Sequence, residues 1–157
     1  VTLDPNTAHP YLVLSEDLRS VKRGTAWQNL PDNPERFCYW RCVLGQERFQ
    51  EGRHCWEVEG EVGGDSLWAV GVSKESVERK SLEFLSPEEG IWALWHWKRQ
   101  LVALTPPRVR QSLSQLHRRI WVCLDCTQGR VTFLNADTGV KIFTFPPGSF
   151  HGEPLHP

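Results

Sequence analysis

Methionine is absent from the 157 residues, position 1 included, which sets the expectation that the chain is a piece of a longer protein. Long apolar runs are missing too. The best, Ile91 to Trp95, holds five residues, against about 20 for a bilayer span, so no transmembrane helix is read and no direct membrane contact is expected. No leader-like segment opens the chain. A net charge of −1 gives no global pull toward nucleic acid. Catalytic signatures are equally scarce: the six histidines form no H-E-x-x-H, and neither a G-x-S-x-G elbow nor a phosphate-binding P-loop occurs. The chain is therefore read as non-catalytic, with no cofactor and no metal.

Cysteine is present but odd in number: Cys38, Cys42, Cys55, Cys123 and Cys126. A domain of this size builds a core without staples, so no disulfide framework is expected and a reducing, cytoplasmic compartment fits. Cys123 and Cys126 make a C-x-x-C, but zinc would need a second suitably spaced ligand pair. In an extended strand the two point to opposite faces, and they read as one core and one surface cysteine.

Sustained helical spacing is nearly missing; Ser112 to Arg119 reads as a helical turn or two. What recurs instead is short apolar alternation. Tyr11–Leu14, Cys38–Leu44, His54–Glu59, Leu67–Val72, Ile91–Trp97, Ile120–Leu124, Val131–Leu134 and Lys141–Phe145 read as strands. Thr127-Gln128-Gly129 and Asn135 to Gly139 carry hairpin-turn chemistry. Many short strands with turn signals between them define one all-β antiparallel sandwich over 1–157, with binding loops at its rims.

Charge and aromatics are distributed unevenly. Glu47 to Glu89 holds eleven acids and five bases, whereas Ile91 to Trp121 holds six bases and no acid. That basic stretch reads either as a solvated face or as a docking surface for an acidic partner. Eight tryptophans are present. Trp56, Trp68, Trp92 and Trp121 sit in apolar strand patterns and read as core. Trp95 and Trp97 lie two apart and share a strand face, with Trp92 on the other. Two large aromatics beside His96, Lys98 and Arg99 have the composition of a binding surface. Tyr39-Trp40-Arg41 is a smaller cluster of the same kind.

Several ordered segments add a family resemblance. They are Leu3-Asp4-Pro5, Thr7 to Pro10, Leu14 to Asp17, Leu30 to Phe37, Val43-Leu44-Gly45, Gly52 to Glu59, Trp68 to Val72, Leu124-Asp125 and Phe133 to Ala136. Together they resemble the PRY-SPRY domain of tripartite-motif proteins and butyrophilins along essentially the whole chain. The resemblance implies a bent two-sheet antiparallel β-sandwich with short N-terminal helical turns, a PRY part at about 1–50 and a SPRY part at 51–157. It implies a loop-lined partner cleft, carried over here to Tyr39, Trp40, Arg41, Glu75, Arg79, Trp95, Trp97 and Arg99. Cys55 stands where the family usually has Tyr, and the 60–67 loop is about two residues longer than usual. The family normally continues past the equivalent of Pro157 through a cleft loop and a closing strand, so missing C-terminal strands and an exposed sheet edge are expected.

The function implied is recognition of a target peptide or protein surface, as the substrate-recognition domain of a tripartite-motif E3 ubiquitin ligase. Its RING would lie outside this chain, and the parent would oligomerise through a coiled coil also outside it. Two alternatives are the cytoplasmic domain of a butyrophilin receptor sensing a phosphorylated small molecule, and RNA binding through the basic Trp-rich stretch. The first wants converging Arg, Lys and His, the second stacking plus phosphate contacts.

Overall fold

The computed structural model describes residues 1–81, 83–111 and 117–157. Eleven strands are present among them. They are β1 (Leu12–Leu14), β2 (Val21–Arg23), β3 (Arg53–Glu59), β4 (Leu67–Lys74), β5 (Ile91–Trp97), β6 (Gln100–Ala103), β7 (Val109–Gln111), β8 (Arg119–Asp125), β9 (Arg130–Asn135), β10 (Lys141–Thr144) and β11 (Leu155–His156). β1 and β2 form a small hairpin. The rest form a four-stranded sheet in the order β10-β9-β8-β3 and a five-stranded sheet in the order β11-β4-β5-β6-β7. Every strand pairing is antiparallel. The all-β sandwich read from the alternation is the architecture observed.

Alternation explains the layers. In β8, Ile120, Val122 and Leu124 are buried, and they meet Trp92, Leu94, Leu101 and Ala103 from the other sheet, with Phe133 and Phe145. A second buried cluster lies on the opposite face of the five-stranded sheet. There Ile91 and Ala93 are covered by Phe37, Leu44, Val77 and Leu104. β5 is therefore covered on both faces for most of its length.

Some expectations need correction. The segment Cys38–Leu44 is irregular rather than a strand, because its backbone groups pair singly with separate loops. Cys38 N–H donates to Arg79 O at 3.1 Å, and Cys42 O accepts from His9 N–H at 3.0 Å. The N-terminal turns are hydrogen-bonded turns, not helix; the single 3₁₀ turn among the described residues is Pro87–Glu89. The helical reading of Ser112 to Arg119 falls, at 112–116, outside the described residues. The last residues pair as β11 on the edge of β4, with Leu155 opposite Lys74.

The cysteine reading also changes. Cys55 and Cys123 form a disulfide across β3 and β8. Gly60 N–H donates to Arg118 O at 2.8 Å, and Cys126 N–H to Gly52 O at 2.9 Å. Counting inward in register, the even-numbered β3 residues occupy the hydrogen-bonded sites. Cys55 and Cys123 thus face each other at a non-hydrogen-bonded site, where strands approach most closely, and their Cα atoms are 4.2 Å apart. Cys126 packs instead against the core, so the two cysteines of the C-x-x-C do lie on opposite faces.

Candidate functional site

The covering of the outer β5 face runs out toward the strand's end. Ile91 and Ala93 are buried, Trp95 is half-buried and Trp97 is 38% exposed. The Trp95 and Trp97 rings stack, centroids 5.7 Å apart and planes 19° off parallel. Lys98 Nζ lies 4.5 Å from the Trp97 centroid, and the Arg108 guanidinium 5.8 Å from that of Trp95. Trp40 and Leu85 pack against the same buried cluster as Trp95. Tyr39, 64% exposed, sits edge-on to Trp40 at 5.5 Å. Beyond Arg108 and Leu85 opens a shallow, mainly apolar cleft of about 350 Å³, lined also by Phe84, Leu104, Pro106 and Pro107, with Glu88 and Glu89 on it. A continuous surface results: aromatic anchors, cations on their ring faces, and an apolar recess alongside.

The sequence-derived residues divide into three groups. Tyr39, Trp40, Trp95 and Trp97 belong to this surface, and Arg99 stands exposed at the β5–β6 turn beside it. Arg41 turns away, its guanidinium 5.0 Å over the Tyr11 ring; Tyr11 belongs to a second aromatic group with His9 and Trp27. Glu75 and Arg79 hold loops. Glu75 accepts from Arg48 Nε at 2.8 Å and Nη2 at 3.1 Å and pairs with His156 Nε2 at 3.1 Å. The Arg48 hydrogen bonds keep the Glu75 carboxyl below the usual carboxylate range. Arg79 donates to the carbonyls of Val77, Glu35 and Glu75 at 3.2, 2.6 and 2.7 Å and lies 5.1 Å over Phe37.

Sequence reasoning missed Phe84, Leu85, the Pro106-Pro107 pair and Arg108. One signal was available, since Arg108 belongs to the acid-free stretch. It also placed Trp121 in the core, whereas this ring is 39% exposed on the outer face of the four-stranded sheet and donates to Glu57 Oε1 at 3.2 Å. Its neighbours Ile120 and Val122 already fill the inner positions.

The two-sheet sandwich thus carries irregular loops around one aromatic, cation-rimmed face. Comparison with known proteins gives the family. Residues 1–49 match the PRY model, described as the SPRY-associated domain, and residues 53–157 match the SPRY domain. The chain belongs to the PRY-SPRY family. It is 48% identical over 157 residues to butyrophilin subfamily 1 member A1 of Mus musculus, covering 100% of this chain and 29% of that protein. It is 44% identical over 146 residues to the E3 ubiquitin-protein ligase TRIM58 of Mus musculus, covering 92% of this chain and 30% of that one. Among solved structures, the TRIM65 PSpry domain superposes with a TM-score of 0.77 at 26% identity, covering 99% of this chain and 80% of that one. Stonustoxin superposes with a TM-score of 0.80 at 26% identity, covering 99% of this chain and 26% of the toxin chain. The chain thus spans about 30% of the length of these butyrophilin and tripartite-motif relatives. SPRY domains are protein-interaction modules and are not catalytic.

Proposed function

We propose that this domain selects a protein target through the surface formed by Trp40, Trp95, Trp97 and the Phe84–Arg108 cleft. It would do so as the recognition part of a tripartite-motif ubiquitin ligase. The observation that carries the reading is the Trp95–Trp97 stack, 5.7 Å between centroids, left partly uncovered at the end of an otherwise buried strand. An exposed indole pair removes little entropy when it binds and buries a large area. An extended segment with a bulky apolar side chain fits such a surface. Tyr39 and Arg99 supply polar contacts at its rim, and Glu75 and Arg79 are left to the scaffold.

The phosphorylated small-molecule alternative has weaker support. Of the cations the sequence offers it, Lys80 donates to the carbonyls of Asn33 and Arg36 at 2.8 and 2.9 Å and to Asp32 at 3.1 Å, which leaves it the Lys98-Arg99 pair.

The test is capture of binding proteins by the wild-type domain beside Trp95→Ala/Trp97→Ala, with both confirmed folded by near-ultraviolet circular dichroism. Loss of a partner by the double variant is the expected result. Identical captured sets would refute the assignment and make the two rings structural.

A further inference from the structure

The β5–β6 connection is the tightest hairpin possible. Trp97 is opposite Gln100, which leaves only Lys98 and Arg99 in the turn. Both have positive φ, 47° and 62°. A two-residue hairpin with both turn residues left-handed matches strand twist, and Asn-Gly or Asp-Gly ordinarily supplies it, because a Cβ there crowds the following carbonyl oxygen, which glycine avoids and Asn or Asp offsets by a local hydrogen bond. Here two long cationic side chains occupy the positions that the backbone least favours for them. Strain of this kind persists where something other than the fold demands the residue.

The surroundings say what these cations are for. Lys98 lies over Trp97 and Arg108 over Trp95. Among the described residues, no carboxylate forms an ion pair with Lys98, Arg99 or Arg108. The stretch from Ile91 to Trp121 contains no acid at all. Two cations without acidic partners therefore lie on the stacked indoles, with Arg99 exposed in the turn beside them, on a molecule whose net charge is −1.

We propose that Lys98 and Arg99 set the specificity of this face by reading carboxylates beside the partner's apolar anchor. The partner segment is an acidic peptide stretch carrying one bulky apolar side chain. The inference rests on the proposed binding surface and names the chemistry of its ligand. A polyanion such as single-stranded RNA fits less well. The cleft that continues from Arg108 bears Glu88 and Glu89, which would oppose a phosphate chain along its whole length, whereas the peptide places its carboxylates only at the Lys98-Arg99 turn and its apolar side chain toward the cleft.

The probe is a displayed library of random 12-residue peptides, selected separately on wild type, Lys98→Asn/Arg99→Gly and Trp95→Ala/Trp97→Ala. On wild type, the expected winners carry Asp or Glu next to Leu, Phe, Tyr or Trp. Synthesised winners should bind Lys98→Asn/Arg99→Gly roughly five- to tenfold more weakly, with the salt dependence reduced. That variant should melt no lower than wild type, since Asn-Gly suits the turn. Winners lost on the tryptophan variant but showing no acidic bias would overturn the charge inference and leave the cleft standing. No winner sensitive to the tryptophan variant would overturn both. A lower melting temperature for Lys98→Asn/Arg99→Gly would show that the cations serve the hairpin, and displacement of the winners by oligouridine at equal concentration would show that the face takes nucleic acid. Either result overturns the proposal.

Discussion

Two tryptophans with nearly equal exposure put the proposed binding surface to the test. Trp97 is 38% and Trp121 39% exposed, on different sheets. Trp97→Ala is expected to weaken partner binding by about 2 kcal/mol or more, as anchors do. Trp121→Ala should leave affinity unchanged by the same isothermal titration. The period-two pattern contained this distinction. It put Trp95 and Trp97 together, and it equally put Trp121 in phase with Arg119 and Asp125, but hydrophobicity outweighed phase in the reading. Beneath the proposed binding face His96 is fully buried, its ring stacked on Trp68 at 4.8 Å, with Nε2 lacking a hydrogen-bond partner. Its strand neighbours, Trp68 and Leu101, do not titrate in this range. Burial lowers its pKa from 6.5, and the same cause lowers those of His9 and His117. The unfolded chain therefore binds more protons as pH falls through about 6.5, so stability is complete above that value and declines below it. The urea midpoint should drop between about pH 7.5 and 5.5. His96→Phe, which keeps the stack, should make that slope shallower; an unchanged slope would assign the effect to other groups.

Turn chemistry decided which elements were legible. The β8–β9 and β9–β10 hairpins carry Gly129 and Gly139 at positive φ, 67° and 74°, and both were readable. β6 escaped because Lys98-Arg99 carries no turn signal and hides the boundary with β5. β2 escaped because Val21–Arg23 is too short and too exposed to show alternation. The disulfide escaped for a different reason: nothing local marks that Cys55 and Cys123, 68 residues apart, fall in register. Thiol titration of the unfolded protein without reductant should therefore find the three free cysteines, Cys38, Cys42 and Cys126, and two more after reduction. Cys55→Ser/Cys123→Ser should lower unfolding stability by about 2–4 kcal/mol in denaturant titrations. Equal stability of the reduced and oxidised wild type would refute this.

The N-terminal segment is held together by Arg36 and tied to the sandwich by Arg79 and Lys80, cations that donate mainly to backbone carbonyls. Arg36 is buried and donates to Pro31, Pro5 and Ala8 at 2.9, 3.0 and 2.7 Å. Arg79 and Lys80 add six more such contacts between them, counting Asp32. None of this was legible, because a carbonyl acceptor belongs to every residue and leaves no mark in the sequence. Arg36→Ala should cost about 3 kcal/mol and raise hydrogen exchange at residues 5–8 before it does so in β8. Uniform acceleration across both would mean that the segment and the sandwich open as one unit. The route of the chain's two ends has a mechanical consequence. Leu3 bridges Gly45, Gln46 N–H donates to Thr2 O at 2.8 Å, and Gly45 N–H donates to Pro157 O at 2.8 Å. Phe49 and Leu155 exchange bonds of 2.8 Å in both directions. A side chain at Gly45 would stand 3.0 Å from the Pro157 ring, so glycine lets the ends close together there. Tension applied between residues 3 and 157 is thus borne first by a few backbone hydrogen bonds along residues 44–49, opened in succession like a zip. Its line of force meets the five-stranded sheet only at β11, the two-residue edge strand on β4, and bypasses the four-stranded sheet. In an optical trap the ends should peel at low force, β11 with them, while the rest of the sandwich and the indole pair at its rim stay intact.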